Sequence, residues 1–238
     1  MKSSQEIVDS YLKKSDWRVK ENSAVPYCFG GLVKYTNGEV SKDYWLHEVY
    51  PDYIAKSHHD GYINIHDLSN GLTLYCCGYS LKSILLKGVR GVSNIPTSKP
   101  AKHFDSILNQ LTNLTSIFQN EVTGAVAFNG FDTLLAPFVK RDSLTYEQVY
   151  QHMQNFIYSI NSNSRCGSEP AFTNITFDLT PPADMLSEYA IIGGEAVSFD
   201  YGSCQQEMDM INRAFFEIMT EGDANGRLFS YPICGRVA

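Results

Sequence analysis

No apolar run in the sequence reaches the roughly 20 consecutive residues that a helix needs to cross a bilayer. The start, MKSSQEIVDSYLKKSDWR, has an amphipathic pattern without the short apolar core of a secretory signal, so a cytoplasmic location is expected. Cations are also scarce, with 19 Lys and Arg against 26 Asp and Glu and a net charge of −7. A sequence-independent grip on nucleic-acid backbone needs clustered Lys and Arg and is not expected. Single nucleotides remain admissible ligands, because backbone amides and a few cations suffice to hold them. There is no C-x-x-C among the six cysteines, Cys28, Cys76, Cys77, Cys166, Cys204 and Cys234. A complete structural zinc site is therefore not expected, and in a reducing compartment the even count is no argument for disulfides.

Hydrophobic residues at 43% and charged residues at only 19% exclude the highly charged composition of a disordered chain. Ile7, Val8, Tyr11 and Leu12 at helical spacing after Ser3 and Ser4 predict a capped first helix. The Asn37-Gly38 pair predicts a tight turn between strands, and GYINIHDL alternates like a strand entering a loop. Further helices are expected from Ser80 to Gly88, from Ser98 through Phe118, from Thr145 through Ile160, and around Met208 to Ile218 with a stop near Gly222. Thr145 with Gln148 has capping-box spacing. AFTNITFDL and RLFSYPI read as strands, whereas NEVTGAVAFNG is a small-residue segment between helical stretches. Helices alternating with strands favour an α/β or barrel-like architecture, with no domain boundary between residues 1 and 238.

Two adjacent thiols, Cys76 and Cys77, at a strand-to-helix turn are the most unusual local feature. Neighbours in an extended segment point opposite ways, so one can face a cavity and the other the core; two small buried hydrophobes is the bland alternative. In NSRCGSEPAFTN, Arg165 and Asn174 carry guanidinium and amide donors suited to an anion or to sugar hydroxyls, while a plain polar loop fits equally well. His58, His59, Asp60, His66 and Asp67 are dense enough to evoke a metal, but His66 and Asp67 would point to opposite faces of an extended segment. A hydrogen-bonding histidine that fixes a loop is the preferred reading, and no metal ligand is assigned.

At these residues the chain resembles the large subunit of the anaerobic (class III) ribonucleotide reductases, oxygen-sensitive glycyl-radical enzymes. The similarity is carried by SDWRVKENS, DYWLHEVYP, GYINIHDL, YCCGYSL with LLKG, TSKPAKH, AFNGFDTLLAPF, RCGSEPAFTNITFDL and GRLFSYPI, in order along almost the whole chain. The resemblance implies an α/β fold forming an incomplete portion of a ten-stranded α/β barrel of the glycyl-radical type. It implies that Cys76 is the catalytic cysteine on an early barrel strand, and that Cys77 stands where the family usually has an apolar residue. Ribonucleoside triphosphates are the implied substrates, with His66, Arg165 and Asn174 as substrate-binding candidates. Deoxynucleoside triphosphates or ATP are the implied effectors, near Lys99 and Lys102 at the start of a helix that also serves a homodimer interface.

The family's glycyl radical is made with S-adenosylmethionine by an iron–sulfur activating enzyme. The radical segment, the loop cysteine that becomes a thiyl, and a zinc-binding cysteine set are expected beyond residue 238, on a C-terminal reductase polypeptide. No cofactor is expected within these residues, and they are expected to be inactive alone. A split-gene product, an extein ahead of an intein starting at Cys234, and a truncated remnant all fit. Two other functions compete: a glycyl-radical acyltransferase of the pyruvate formate-lyase type, which also uses adjacent cysteines, and a non-catalytic nucleotide-binding or dimerisation module.

Overall fold

The structure is a computed structural model that describes residues 2–16, 19, 27–71, 73–90, 97–162 and 170–236. Its contacts group the chain into two compact units, Met1–Tyr75 with Asn163–Pro170, and Cys76–Ser162 with Ala171–Ala238. Among the described residues no helix is long and apolar enough to cross a membrane.

In the first unit, α1 (Ser4–Leu12) begins as expected. The Glu6 amide donates to Ser3 Oγ and the Ser3 amide to Glu6 Oε2, closing a capping box. The expected turn at Asn37-Gly38 does not form, because both residues lie inside α2 (Phe29–Tyr44). Gly38 serves packing there: a Cβ would come within 3.1 Å of Ser69 Cβ. After a wide turn at Trp45–Val49 and α3 (Asp52–His59), GYINIHDL is not a strand either. The amides of Tyr62 and Ile63 donate to the Ser57 carbonyl and that of Ile65 to His58 Nδ1, so local partners replace a ladder. A small core of Leu46, Ala55 and Leu68 lies beneath.

The second unit is built on four parallel strands in the order β1 (Cys77–Tyr79), β2 (Val126–Phe128), β3 (Thr173–Phe177) and β6 (Ile233–Arg236). Strand β2 comes from the small-residue segment, too short and too poor in large side chains to announce itself. Helix α4 (Leu81–Lys87) starts at Ser80 and stops at Gly88, as expected. Gly88 is obligatory, with φ +71° and a Cβ position only 2.1 Å from the Ser98 carbonyl oxygen.

Helix α5 (Phe104–Phe118) starts six residues later than expected. Ser98 instead bridges to Val89, Gln110 Nε2 donates to the Lys99 carbonyl, and Arg141 Nη1 to that of Lys102. The preceding backbone is thereby held extended until the Asp142 carboxylate accepts from the Phe104 amide and caps the helix.

Helix α6 (Phe131–Asp142) is buried on all sides over Phe131–Val139, which hides it from any search for an amphipathic stripe. Helices α7 (Tyr146–Ile160), with its capping box at Thr145, and α8 (Gln205–Glu221), ending at Gly222, match expectation. Between them lies an antiparallel hairpin, β4 (Tyr189–Ile192) and β5 (Glu195–Asp200), turned by Gly193 and Gly194, both at positive φ.

RLFSYPI is extended but joins the sheet only at Ile233. Ahead of it, Asn161 at the end of α7 takes the place of a strand partner: its Nδ2 donates to the Tyr231 carbonyl and its Oδ1 accepts from the Ser230 and Tyr231 amides.

Candidate active site

Period-two alternation gives the sheet two unlike faces. Cys77 is in register with Val126 and Thr173, and Tyr79 with Phe128 and Ile175. This face packs against the core of helices α4 to α8. The other face carries Cys76, Gly78, Ala125, Ala127, Asn174, Thr176 and Gly235, with Phe172, just ahead of β3, and Ile233 as large apolar side chains at its margins. Small side chains leave room above the backbone for a ligand.

Cys76, the residue before β1, is exposed, and its Sγ accepts a hydrogen bond from the Ala125 amide at 3.2 Å. Cys77 is half-buried against the core, where burial pushes its thiol pKa up and the neighbouring Cys76 adds to the effect. The two thiols are thus sorted as adjacent strand residues should be. Asn174 is half-buried on the same face as Cys76, in register with Ala127 and Ile233. It lies two strands across, a lateral separation of about 10 Å.

The other candidates are placed differently. His66 belongs to the first unit, exposed, with Nε2 3.2 Å from Asp67 Oδ2 and its ring 5.8 Å from that of Tyr75. Asp67 has positive φ, so the extended geometry that would have turned His66 and Asp67 apart is absent. Arg165 and Cys166 lie outside the described residues. Lys99 and Lys102 are exposed on the extended segment ahead of α5. The Lys102 side chain runs along Gly193 of the hairpin turn.

The polar face of α5, with Ser106, Asn109, Gln110 and Asn113, lines a groove of about 790 Å³ together with Val89, Thr97 and Ser98. Among the described residues, Gln110 Oε1 is buried there without a hydrogen-bond partner.

A carboxylate that the sequence did not single out holds the C-terminal end of β3. Asp132 is fully buried in the first turn of α6. Its Oδ1 accepts from the amides of Thr133 and Asp178, and its Oδ2 from the Leu179 amide and Asn212 Nδ2, at 2.9–3.0 Å. Helix α6, the end of β3 and helix α8 are joined through this one side chain.

Beside it, the Thr133 hydroxyl donates to Asp178 Oδ2 at 2.5 Å. Burial pushes the Asp178 pKa up, against the Thr133 hydrogen bond and with the charges of Asp132 and Asp184. Because the folded pKa is the higher one, the stabilisation is fully present below the unfolded value and is lost as pH rises through the folded value. Asp178→Asn keeps an acceptor for Thr133 and removes the charge. Its expected effect is a raised melting temperature at neutral pH that disappears below the ordinary carboxylate range. A uniform loss of stability at all pH values would contradict this.

The family model described as anaerobic ribonucleoside-triphosphate reductase matches residues 21–235. The chain belongs to this family. It is 29% identical over 152 residues to the anaerobic ribonucleoside-triphosphate reductase of Enterobacteria phage T4, an alignment covering 53% of this chain and 25% of that protein.

The fold matches the anaerobic ribonucleotide reductase of Thermotoga maritima solved in complex with dATP and CTP. The TM-score is 0.62 at 21% identity, over 90% of this chain and 38% of that one. The same enzyme with citrate in the active site gives a TM-score of 0.63 at 19% identity, over 90% and 40%. Over this stretch the parallel sheet and its helices are therefore part of the α/β fold of these reductases, as the resemblance implies. The chain spans a quarter of the length of the phage reductase and about two fifths of the T. maritima enzyme.

Proposed function

We propose that this chain supplies the substrate-reducing thiol of an anaerobic ribonucleotide reductase, converting ribonucleoside triphosphates to deoxyribonucleotides together with the rest of the reductase. The reading rests chiefly on the exposed Cys76 thiol on the small-residue face of the sheet, in a chain of this family. When present, the radical system generated by an S-adenosylmethionine-dependent activating enzyme supplies a thiyl that takes the ribose 3′ hydrogen.

The residues of this chain bind and reduce. Cys76 has an S–H bond weak enough to pass a hydrogen atom to a carbon radical, breaking S–H and forming C–H. Asn174 offers amide donor and acceptor groups to ribose hydroxyls on the same face. His66 and Arg165 are proposed to hold the remaining polar groups of the triphosphate substrate. Lys99 and Lys102 are proposed to offset effector phosphate charge beside the α5 groove, whose buried Gln110 Oε1 has room for a donor from the ligand. Binding of dATP and CTP by the T. maritima enzyme supports nucleotide binding here. A homodimer built through α5 belongs to the same proposal.

The test is anaerobic: the purified chain with activating enzyme, S-adenosylmethionine, a reductant including formate, and ribonucleoside triphosphates, with and without the remaining reductase polypeptide. Deoxynucleotide only on complementation is expected. Product from the chain alone, or none in either case, would overturn the reading.

A further inference from the structure

Cys76 lies where the β1–β2 ladder begins. The Cys77 amide donates to the Ala125 carbonyl and the Val126 amide to that of Phe172, so both neighbouring ladder donors are used. The Ala125 amide donates to Cys76 Sγ at 3.2 Å, so sulfur stands where a strand carbonyl would otherwise accept. Among the described residues this is the one backbone donor recorded on an exposed thiol other than the helix-capping Cys28.

We propose that the Ala125 backbone N–H is a positioning group for Cys76, engaging a sulfur lone pair, fixing the side-chain rotamer and turning the S–H hydrogen away from β2. The inference deepens the proposed function and rests on its reading of Cys76 as the reducing thiol. The chemistry asks for such a group. A thiol on an exposed strand end samples several rotamers, whereas hydrogen-atom transfer requires the S–H to be presented in one direction. Cys77, one residue on, receives no such bond and packs against the core. The same short segment thus contains one sulfur held by an amide and one held by burial.

The position also supplies a clean test, since Ala125 immediately precedes β2 and, among the described residues, its N–H serves no backbone carbonyl. Replacing the Ala125 amide by a backbone ester removes that donor and leaves the side chain in place. The experiment measures the Cys76 χ1 populations by NMR, from the Hα–Hβ couplings, in a Cys77→Ser background.

The unaltered chain and Ala125→Gly, which keeps the N–H, are expected to show one Cys76 rotamer, and the ester variant averaged couplings. Equal couplings in all three proteins would overturn the proposal. If the ester variant does not fold, the Ala125 amide resonance decides. A marked shift on alkylating Cys76 in the otherwise unaltered chain supports the contact, and an unmoved resonance refutes it. The functional reading is tested separately. Should the couplings change as expected while Cys76→Ser retains reductase activity, the amide contact stands and the assignment of Cys76 falls.

Discussion

Cys76→Ser in the complemented reductase is expected to reduce deoxyribonucleotide formation to background, while Cys77→Ser keeps most of the activity. A serine hydroxyl preserves size and can accept from the Ala125 amide, so the fold and the hydrogen bond at this position are retained. What is lost is the weak S–H bond, and an O–H bond is too strong to give its hydrogen atom to a carbon radical. Cys77 packs against the core with its thiol pKa raised by burial. Replacing it should cost stability of about 1 kcal/mol. Rates of deoxynucleotide formation, beside melting temperatures of both variants, check the claim. Comparable losses of activity in the two, or the reverse ranking, would remove Cys76 from its assigned role.

Asp132→Ala is expected to be the most damaging single change to the fold among the polar residues described. Four donors converge on its fully buried carboxylate, three of them backbone amides. Leaving several buried donors unpaired should lower stability by about 3–5 kcal/mol. Among the described residues Asn212 Oδ1 is buried without a partner, so losing Asp132 would also strip its Nδ2 of its acceptor. Asp132→Asn keeps an acceptor and should fall between the wild type and the alanine variant. Denaturant unfolding of the three proteins measures the series, and a loss under about 1 kcal/mol for alanine would show that the donors find other partners.

Nothing near Asp132 in the sequence singles it out, because its four partners are contributed by positions 133, 178, 179 and 212. The same holds for the Ala125 amide, whose partner lies 49 residues earlier. Other features were open to inspection. Gly193-Gly194 between IleIle and GluAla is a two-residue turn signal for the β4–β5 hairpin and could have been read as one. Cys76 and Asn174 were candidates from the sequence, and the strand register sets both on one face of the sheet.

Local chemistry determined the elements whose signals are self-contained. The capping boxes at Ser3 and Thr145 and the alternating residue pattern of β3 depend on neighbours within a few residues, so the sequence alone specifies them. Family membership was legible for a related reason: the motifs are ordered strings of residues.

Only the tertiary structure decided the elements whose partners are distant. Asn37-Gly38 reads as a turn until Ser69 requires a residue without a side chain in a helix. GYINIHDL alternates like a strand but finds Ser57 and His58 instead of a neighbour. The start of α5 is set by Asp142, and the late entry of β6 into the sheet by Asn161. A backbone amide takes whichever acceptor the fold brings within reach, and local preference, worth only a fraction of a kcal/mol per residue, yields to it.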